Sequence, residues 1–351
     1  MSIPYANGFE TGSNQRCGMA AVTGNVIVDG YAPARPPGSP SHYYLFSAAG
    51  WTDTIRLPWR LDASGTLYEA ADALGYRFHF RIQPSLNDAF NYLRRFGVAR
   101  TGVAIIEVSF EALTGRVTLL IGGSVVGTSM AYAVSPGMWA RLICEVEPIA
   151  TGAVINVYAN GNIGLPIVSY TLTAGDVTTI QAKGLPNEFM YSVNGYGLRL
   201  DDVALQVNDG VGSCALSHLG AYGIRGLSPN ADGTYTAWTG TYADIDEVPA
   251  SDGDFLNATA VDDHSSFTLP ALAGTAAAVL HVAVWARTVQ DDSTAGDNIE
   301  VELDDGVAQE SITASVVAAN DVTAHFDLAP DGGGWSVSKL DALEFGFYAR
   351  T

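Results

Sequence analysis

Apolar and polar side chains alternate with a period of two through much of the chain, the pattern of strands that bury one face. Tyr76, Phe78, Phe80 and Ile82 are interleaved with Arg77, His79 and Arg81, and Leu142, Cys144 and Val146 with Arg141, Ile143, Glu145 and Glu147. Val203, Leu205 and Val207 alternate with Ala204, Gln206 and Asn208. Ile299, Val301 and Leu303 face away from Glu300, Glu302 and Asp304, and Leu343, Phe345 and Phe347 from Glu344, Gly346 and Tyr348. One apolar and one more polar side per run predicts antiparallel sheets packed on a single face. Asx-Gly pairs punctuate the runs, among them Asn7-Gly8, Asn160-Gly161, Asp232-Gly233, Asp305-Gly306 and Asp331-Gly332. Such pairs tolerate the positive φ angles of tight turns. Helix signals are few. Residues Ser85 to Arg95 read equally as a short Ser-capped helix or as a strand pair turning at Asn87-Asp88.

Length turns this pattern into an architecture. At 351 residues the chain suits two domains, each able to bury its own core. The prediction is an all-β protein of two antiparallel β-sandwich (jelly-roll) domains in tandem, at residues 1–212 and 213–351. The boundary near 210–220 is marked by the Asp209-Gly-Val-Gly-Ser213 break and by a change in charge. Residues 1–214 carry 16 acidic and 13 basic side chains, whereas residues 215–351 carry 21 and 4. The net charge of −20 repels phosphate backbones and anionic lipid, so neither nucleic acid nor membrane insertion is expected. Pro33 to Pro40 reads as a surface loop of the first domain.

Cys17, Cys144 and Cys214 are too few and too scattered for a disulfide framework, and Cys144 fits a buried small hydrophobe. The first residues lack a basic start and an apolar run, so no signal peptide is expected. No run of 18 apolar residues suggests a membrane span.

Residues 137–161 resemble a stretch of the concanavalin A-like (laminin G-like) jelly rolls, in which a Trp opens one strand and a second ends in Tyr-x-Asn-Gly. Trp139 and Tyr158-Ala-Asn-Gly161 match that pattern. Residues 198–208, with Asp201-Asp202 before an alternating run, are similar to that family's closing strand, and Asn7-Gly-Phe-Glu10 to its opening one. The second half resembles a β-sandwich module of tailed-phage virion structural proteins. Gly240 to Pro249, Ser265 to Leu272, Val282 to Arg287 and Trp335 to Phe347 carry that resemblance. It implies a non-catalytic virion structural protein on the particle surface, a head decoration, spike or tail-fibre component. Its partners would be other virion proteins, copies of itself in a homo-oligomer with a trimer favoured, and host cell-surface glycan. It would be made in the bacterial host cytoplasm. The alternative is a lectin or glycan-active hydrolase on the concanavalin-like fold.

Candidate chemistry is sparse. Glu145 and Glu147, two apart on one strand, project from the same face, as glycosidase carboxylates do. The concanavalin-like glycosidases place an Asp between such glutamates, and Val146 stands there, so a solvated strand face is favoured and no enzyme is expected. Asp201 and Asp202 are the better candidates for part of a Ca²⁺ site, but no cofactor is required. The six histidines are dispersed, and neither a nucleophile elbow nor a Cys-x-x-Cys is present. Arg94, Arg95 and Arg100 form a basic cluster suited to an acidic partner, including the second half of a neighbouring copy. Tyr43, Tyr44, Trp51, Trp59, Trp238 and Tyr242 are candidate glycan platforms, against the commoner role of aromatic plugs in a sandwich core.

Overall fold

The computed structural model describes residues 2–7, 21–23, 26–29, 44–47, 53–58, 76–84, 94–111, 113–135, 138–149, 152–160, 162, 164–184, 186–193, 198–207, 226–246, 254–272, 278–288, 298–315 and 320–350. The boundary expected near 210–220, the Pro33–Pro40 loop and residues 85–93 lie outside them. The chain opens with β1 (Ser2–Asn7), β2 (Ala21–Thr23), β3 (Val26–Asp29), β4 (Tyr44–Ser47) and β5 (Asp53–Pro58). The long strands β6 (Tyr76–Pro84), β7 (Arg94–Arg100), β8 (Val103–Phe110), β9 (Val117–Ile121) and β10 (Ser124–Thr128) follow. Next come β11 (Ala140–Ile149), β12 (Gly152–Ala159), β13 (Val168–Thr171), helix α1 (Ala174–Lys183), β14 (Glu188–Val193) and β15 (Leu198–Val207).

These strands build two antiparallel sheets. One runs β13-β12-β11-β6-β15-β4-β3, with β1 also paired to β15. The other runs β10-β9-β8-β7-β14-β5-β2. The fold is thus an antiparallel β-sandwich, and its core lies between the two sheets. Phe78 and Phe80 of β6 meet Phe96 of β7 and Phe189 of β14, with the Phe80–Phe96 ring centroids 4.6 Å apart and Phe96–Phe189 5.2 Å apart. The alternation read from the sequence is therefore correct in period and in face. Gly97 is a packing requirement, because a Cβ there would stand 2.0 Å from the Ile106 carbonyl oxygen of β8.

One element departs from the expected scarcity of helices. Helix α1 lies against β8 and β9, and its Ile180 is buried in the core cluster. Thr173 and Asp176 close a capping box: the Thr173 side chain accepts from the Asp176 amide at 3.2 Å, and the Asp176 carboxylate accepts from the Thr173 amide at 2.8 Å. That signal was in the sequence.

The later part holds β16 (Ala231–Thr236), a 3₁₀ turn (Tyr242–Asp244), β17 (His264–Thr268), β18 (Val282–Thr288), β19 (Asn298–Asp304), β20 (Gln309–Ser315), β21 (Asn320–Phe326), α2 (Val337–Asp341) and β22 (Glu344–Arg350). A five-stranded sheet runs β16-β17-β22-β19-β20, and β18 pairs with β21. Phe267, Val301, Leu303, Phe345 and Phe347 of the first share a core with Ala324 and Phe326 of β21, with Val282 and Val284 of β18 packed against it. The Trp335 indole donates to the Phe326 carbonyl at 3.0 Å, which satisfies its one polar atom inside the core. Among the described residues no helix is long and apolar enough to cross a membrane.

Candidate functional site

Two polar ladders stand on sheet faces turned away from the cores. The first crosses four strands of the larger sheet. Asn156 of β12 lies opposite Glu145 of β11, which lies opposite Arg77 of β6, which in turn lies opposite Gln206 of β15. The neighbouring row is Tyr158, Ile143, His79 and Ala204. Antiparallel register brings such residues within side-chain reach although Arg77 and Gln206 are far apart in sequence. Arg77 and Glu145 form an ion pair, and the Tyr158 hydroxyl bonds the same carboxylate. Burial first, then the neighbouring Glu145, holds the Tyr158 phenol above its ordinary range. His79 Nε2 and Gln206 Oε1 are 2.6 Å apart.

Arg77, His79 and Gln206 are at most 1% exposed although they face away from the core. A guanidinium so deep needs a counter-charge, and Glu145 supplies it. The arrangement is therefore a neutralised ion pair beside a His–Gln hydrogen bond. Glu147 shares its face but is exposed. The pair expected from sequence to share a face does so, with Glu145 committed to Arg77. Cys144 points the other way, into the core, where burial pushes its thiol far above the reactive range.

The second ladder lies on the five-stranded sheet. His264 of β17 faces Tyr348 of β22, which faces Glu300 of β19. The His264 ring is stacked between Tyr235, at 4.0 Å, and Tyr348, at 3.7 Å. The Arg350 guanidinium lies 4.3 Å over the Tyr348 ring and is ion-paired with Glu300 and Asp262. His264 Nε2 is 3.5 Å from Glu302 Oε1, and both residues are buried. The ring can occupy that place because residue 346 is Gly: a Cβ there would sit 2.9 Å from Nε2. Burial, then Arg350, lowers the His264 pKa, against the opposing pull of Glu344, Asp304 and Glu300. Burial raises that of Glu302, and the Tyr348 phenol is pushed up to about 12, chiefly by burial and then by Glu302. Glu344 accepts from the Thr234 amide and hydroxyl and from Ser266.

The residues singled out from sequence are dispersed over the fold. Arg94, Arg95 and Arg100 all belong to β7, which settles the last two residues of the Ser85–Arg95 segment as strand. Arg95 lies 3.6 Å from the buried Glu107 of β8, so part of the basic cluster is neutralised within the chain. Burial raises the Glu107 pKa while Arg95 and Lys183 counter it. Asp201 and Asp202 sit at a β-bulge: the pairing of β15 with β6 slips by one residue between Asp201 and Ala204. Their side chains lie outside the described residues, as do those of Tyr44 and Arg94 and the whole of Tyr43, Trp51 and Trp59. Trp238 and Tyr242 are half-buried and packed against the second core. The Trp238 indole donates to the Asp263 carbonyl at 2.9 Å. Among the described residues no three His, Cys, Asp or Glu side chains are grouped to hold a metal ion.

Sequence reasoning did not single out Arg77, His79, Gln206, Tyr235, His264 or Tyr348. Each is a polar or aromatic strand position, and only register shows which ones meet.

No protein family and no curated protein matches the sequence. Among solved structures, a lectin II from Ulex europaeus is similar at 12% identity, over 59% of this chain and 100% of that one, with a TM-score of 0.38. A protein of unknown function with a galectin-like fold from Bacillus subtilis is similar at 10% identity, over 59% and 96%, with a TM-score of 0.39. Domain 4 of an extracellular arabinanase from Geobacillus stearothermophilus, solved with arabinotriose, is similar at 14% identity, over 59% and 93%, with a TM-score of 0.36. Likeness at that level carries no information on ligand or activity.

Proposed function

We propose that this chain is a non-catalytic structural protein of a tailed-phage virion, displayed on the particle surface as a head decoration, spike or tail-fibre component. Its sandwich faces bind neighbouring subunits and host glycan. The observation that supports the non-catalytic part is the state of three carboxylates of the two ladders. Glu145 is bound to Arg77 and Tyr158, Glu300 to Arg350 and Ser311, and Glu344 to Thr234 and Ser266. Glycoside hydrolysis needs two carboxyls facing one open bond, one of them able to give a proton. Carboxylates tied into ladders rigidify a sheet face instead. The virion part rests on the resemblance of about residues 215–351 to the phage sandwich module.

Mass spectrometry of purified particles should detect the chain, and labelled antibody should decorate intact particles in electron micrographs. Absence from particles, or antibody access only after disruption, would overturn the surface assignment. Hydrolysis of a host-envelope glycan by the purified chain, lost on Glu145→Gln, would overturn the non-catalytic one.

A further inference from the structure

Among the described residues, one rim of the first sandwich carries an exposed apolar cluster. Leu113, Met130, Tyr132, Met138 and Leu165 are between 52% and 86% exposed. They come from three separate connections that the backbone gathers at one end. The turn after β8 is tied to the segment after β10 by Tyr132 N–H to Thr114 O at 2.5 Å, Val134 N–H to Gly115 O at 3.0 Å and Ser129 N–H to Val117 O at 2.8 Å. That segment leads through Met138 to the start of β11. There the Asn160 amide, opening the turn that carries Leu165, donates to the Arg141 carbonyl at 2.8 Å.

Isolated exposed apolar side chains are ordinary, but five at one rim make a patch of the kind that marks an interaction surface. Tyr132 adds an independent sign. Its φ is +60°, the left-handed region that a bulky residue adopts only when its surroundings force it. Gly115 lets the two segments come this close, since a Cβ on it would stand 1.9 Å from the Val134 carbonyl oxygen. At this unusual φ the Tyr132 side chain is 72% exposed. Beside the patch, Arg116 is exposed and forms no ion pair among the described residues.

The second half offers an apolar projection with acidic flanks. The turn from Asp304 to Ala308 presents Val307, 88% exposed, at its tip. Its two aspartates hold it rigid: Asp304 accepts from the Gly306 amide at 2.7 Å, and Asp305 from the Val307 and Ala308 amides at 3.0 Å each. The tip is thus an apolar knob between two carboxylates, in a half with 21 acidic and 4 basic side chains.

We propose that the Asp304–Ala308 turn of a second copy of this chain seats Val307 in the Leu113–Met130–Tyr132–Met138–Leu165 rim, with its aspartates facing Arg116. The contact joins two different surfaces, so it is head-to-tail and either closes into a ring or propagates. It does not depend on the virion assignment.

The test is sedimentation of the full chain across a dilution series, in low and moderate salt. The wild type should form species heavier than its 36.9 kDa monomer, weakened by salt. Met130→Glu and Val307→Asp, on opposite sides of the contact, should each raise the dissociation constant by more than about tenfold, as loss of an interface anchor does. Both sites are exposed, so thermal midpoints should hold. Arg116→Glu should weaken assembly. A wild type that stays monomeric at every concentration overturns the proposal. So does assembly unchanged by either apolar variant, including the case in which the rim variant instead loses affinity for lipid vesicles.

Discussion

Replacing Glu145 by Gln is expected to destabilise the first sandwich without removing an activity. Arg77 and Glu145 have side-chain exposures of 2% and 12%. Removing one member of a buried ion pair costs roughly 3–5 kcal/mol, because the other charge is left in a poorly solvating place. Solvent reaches the Glu145 end, and the Tyr158 hydroxyl can still donate to the amide oxygen, so about 3 kcal/mol is the expected loss. With a urea m-value near the upper end of the ~1–3 kcal/mol/M range, the unfolding midpoint should fall by about 1 M. Arg77→Met strands the more exposed partner and should cost less. The double variant should cost less than the sum of the two, the difference being the coupling of the pair. Glu147→Gln, on the same face but exposed, should stay within about 0.5 kcal/mol of wild type. Urea titration followed by circular dichroism measures all four. Additive single costs, or a Glu145→Gln variant as stable as the wild type, would refute the view that Glu145 exists to hold Arg77.

Gly97→Ala should cost more than the ~1 kcal/mol typical of a point substitution, because the new Cβ meets the Ile106 carbonyl oxygen at 2.0 Å and β7 must part from β8; a thermal midpoint within 2 °C of wild type, of the order of 0.5 kcal/mol, would contradict this. His264 makes stability depend on pH with a definite sign. Its folded pKa lies below the ordinary 6.5, so the unfolded chain binds the proton more readily, and stability declines as pH falls from above 6.5 toward the folded value. Glu302 acts oppositely, its contribution being full below 4.5 and lost as pH rises through its raised folded pKa. His264→Gln should therefore flatten the decline of the unfolding temperature between about pH 7 and 5; an unaltered slope would place the effect elsewhere.

The alternating runs were enough to read the strands around Phe78, Val146, Leu205, Val301 and Phe345, because period two and burial of one face are local properties. Three things escaped that reading. Helix α1 was announced by Thr173 and Asp176 but has a weak apolar stripe, with Ile180 alone fully buried. The ladders are properties of register: Arg77 meets Glu145 across 68 positions, and His79 meets Gln206 across 127. The bulge at Asp201-Asp202 defeats the pattern as well, since it puts both Leu200 and Val203 in the core at a spacing that strict alternation forbids.

Strand order also has a consequence for how the chain comes to be folded. β15 lies between β6 on one side and β4 with β1 on the other, and β22 lies between β17 and β19. Each is the last strand of its sheets to be synthesised, yet each occupies an interior place. A nascent chain that ends before residue 198 leaves one edge of β6 unpaired, and one that ends before 344 leaves β17 and β19 without the strand that joins them. Such non-local closure makes folding slow and exposes open edges to other chains meanwhile. Yield in cells should therefore depend on synthesis rate and on chaperones that shield strand edges more than on the stability of the finished sandwich.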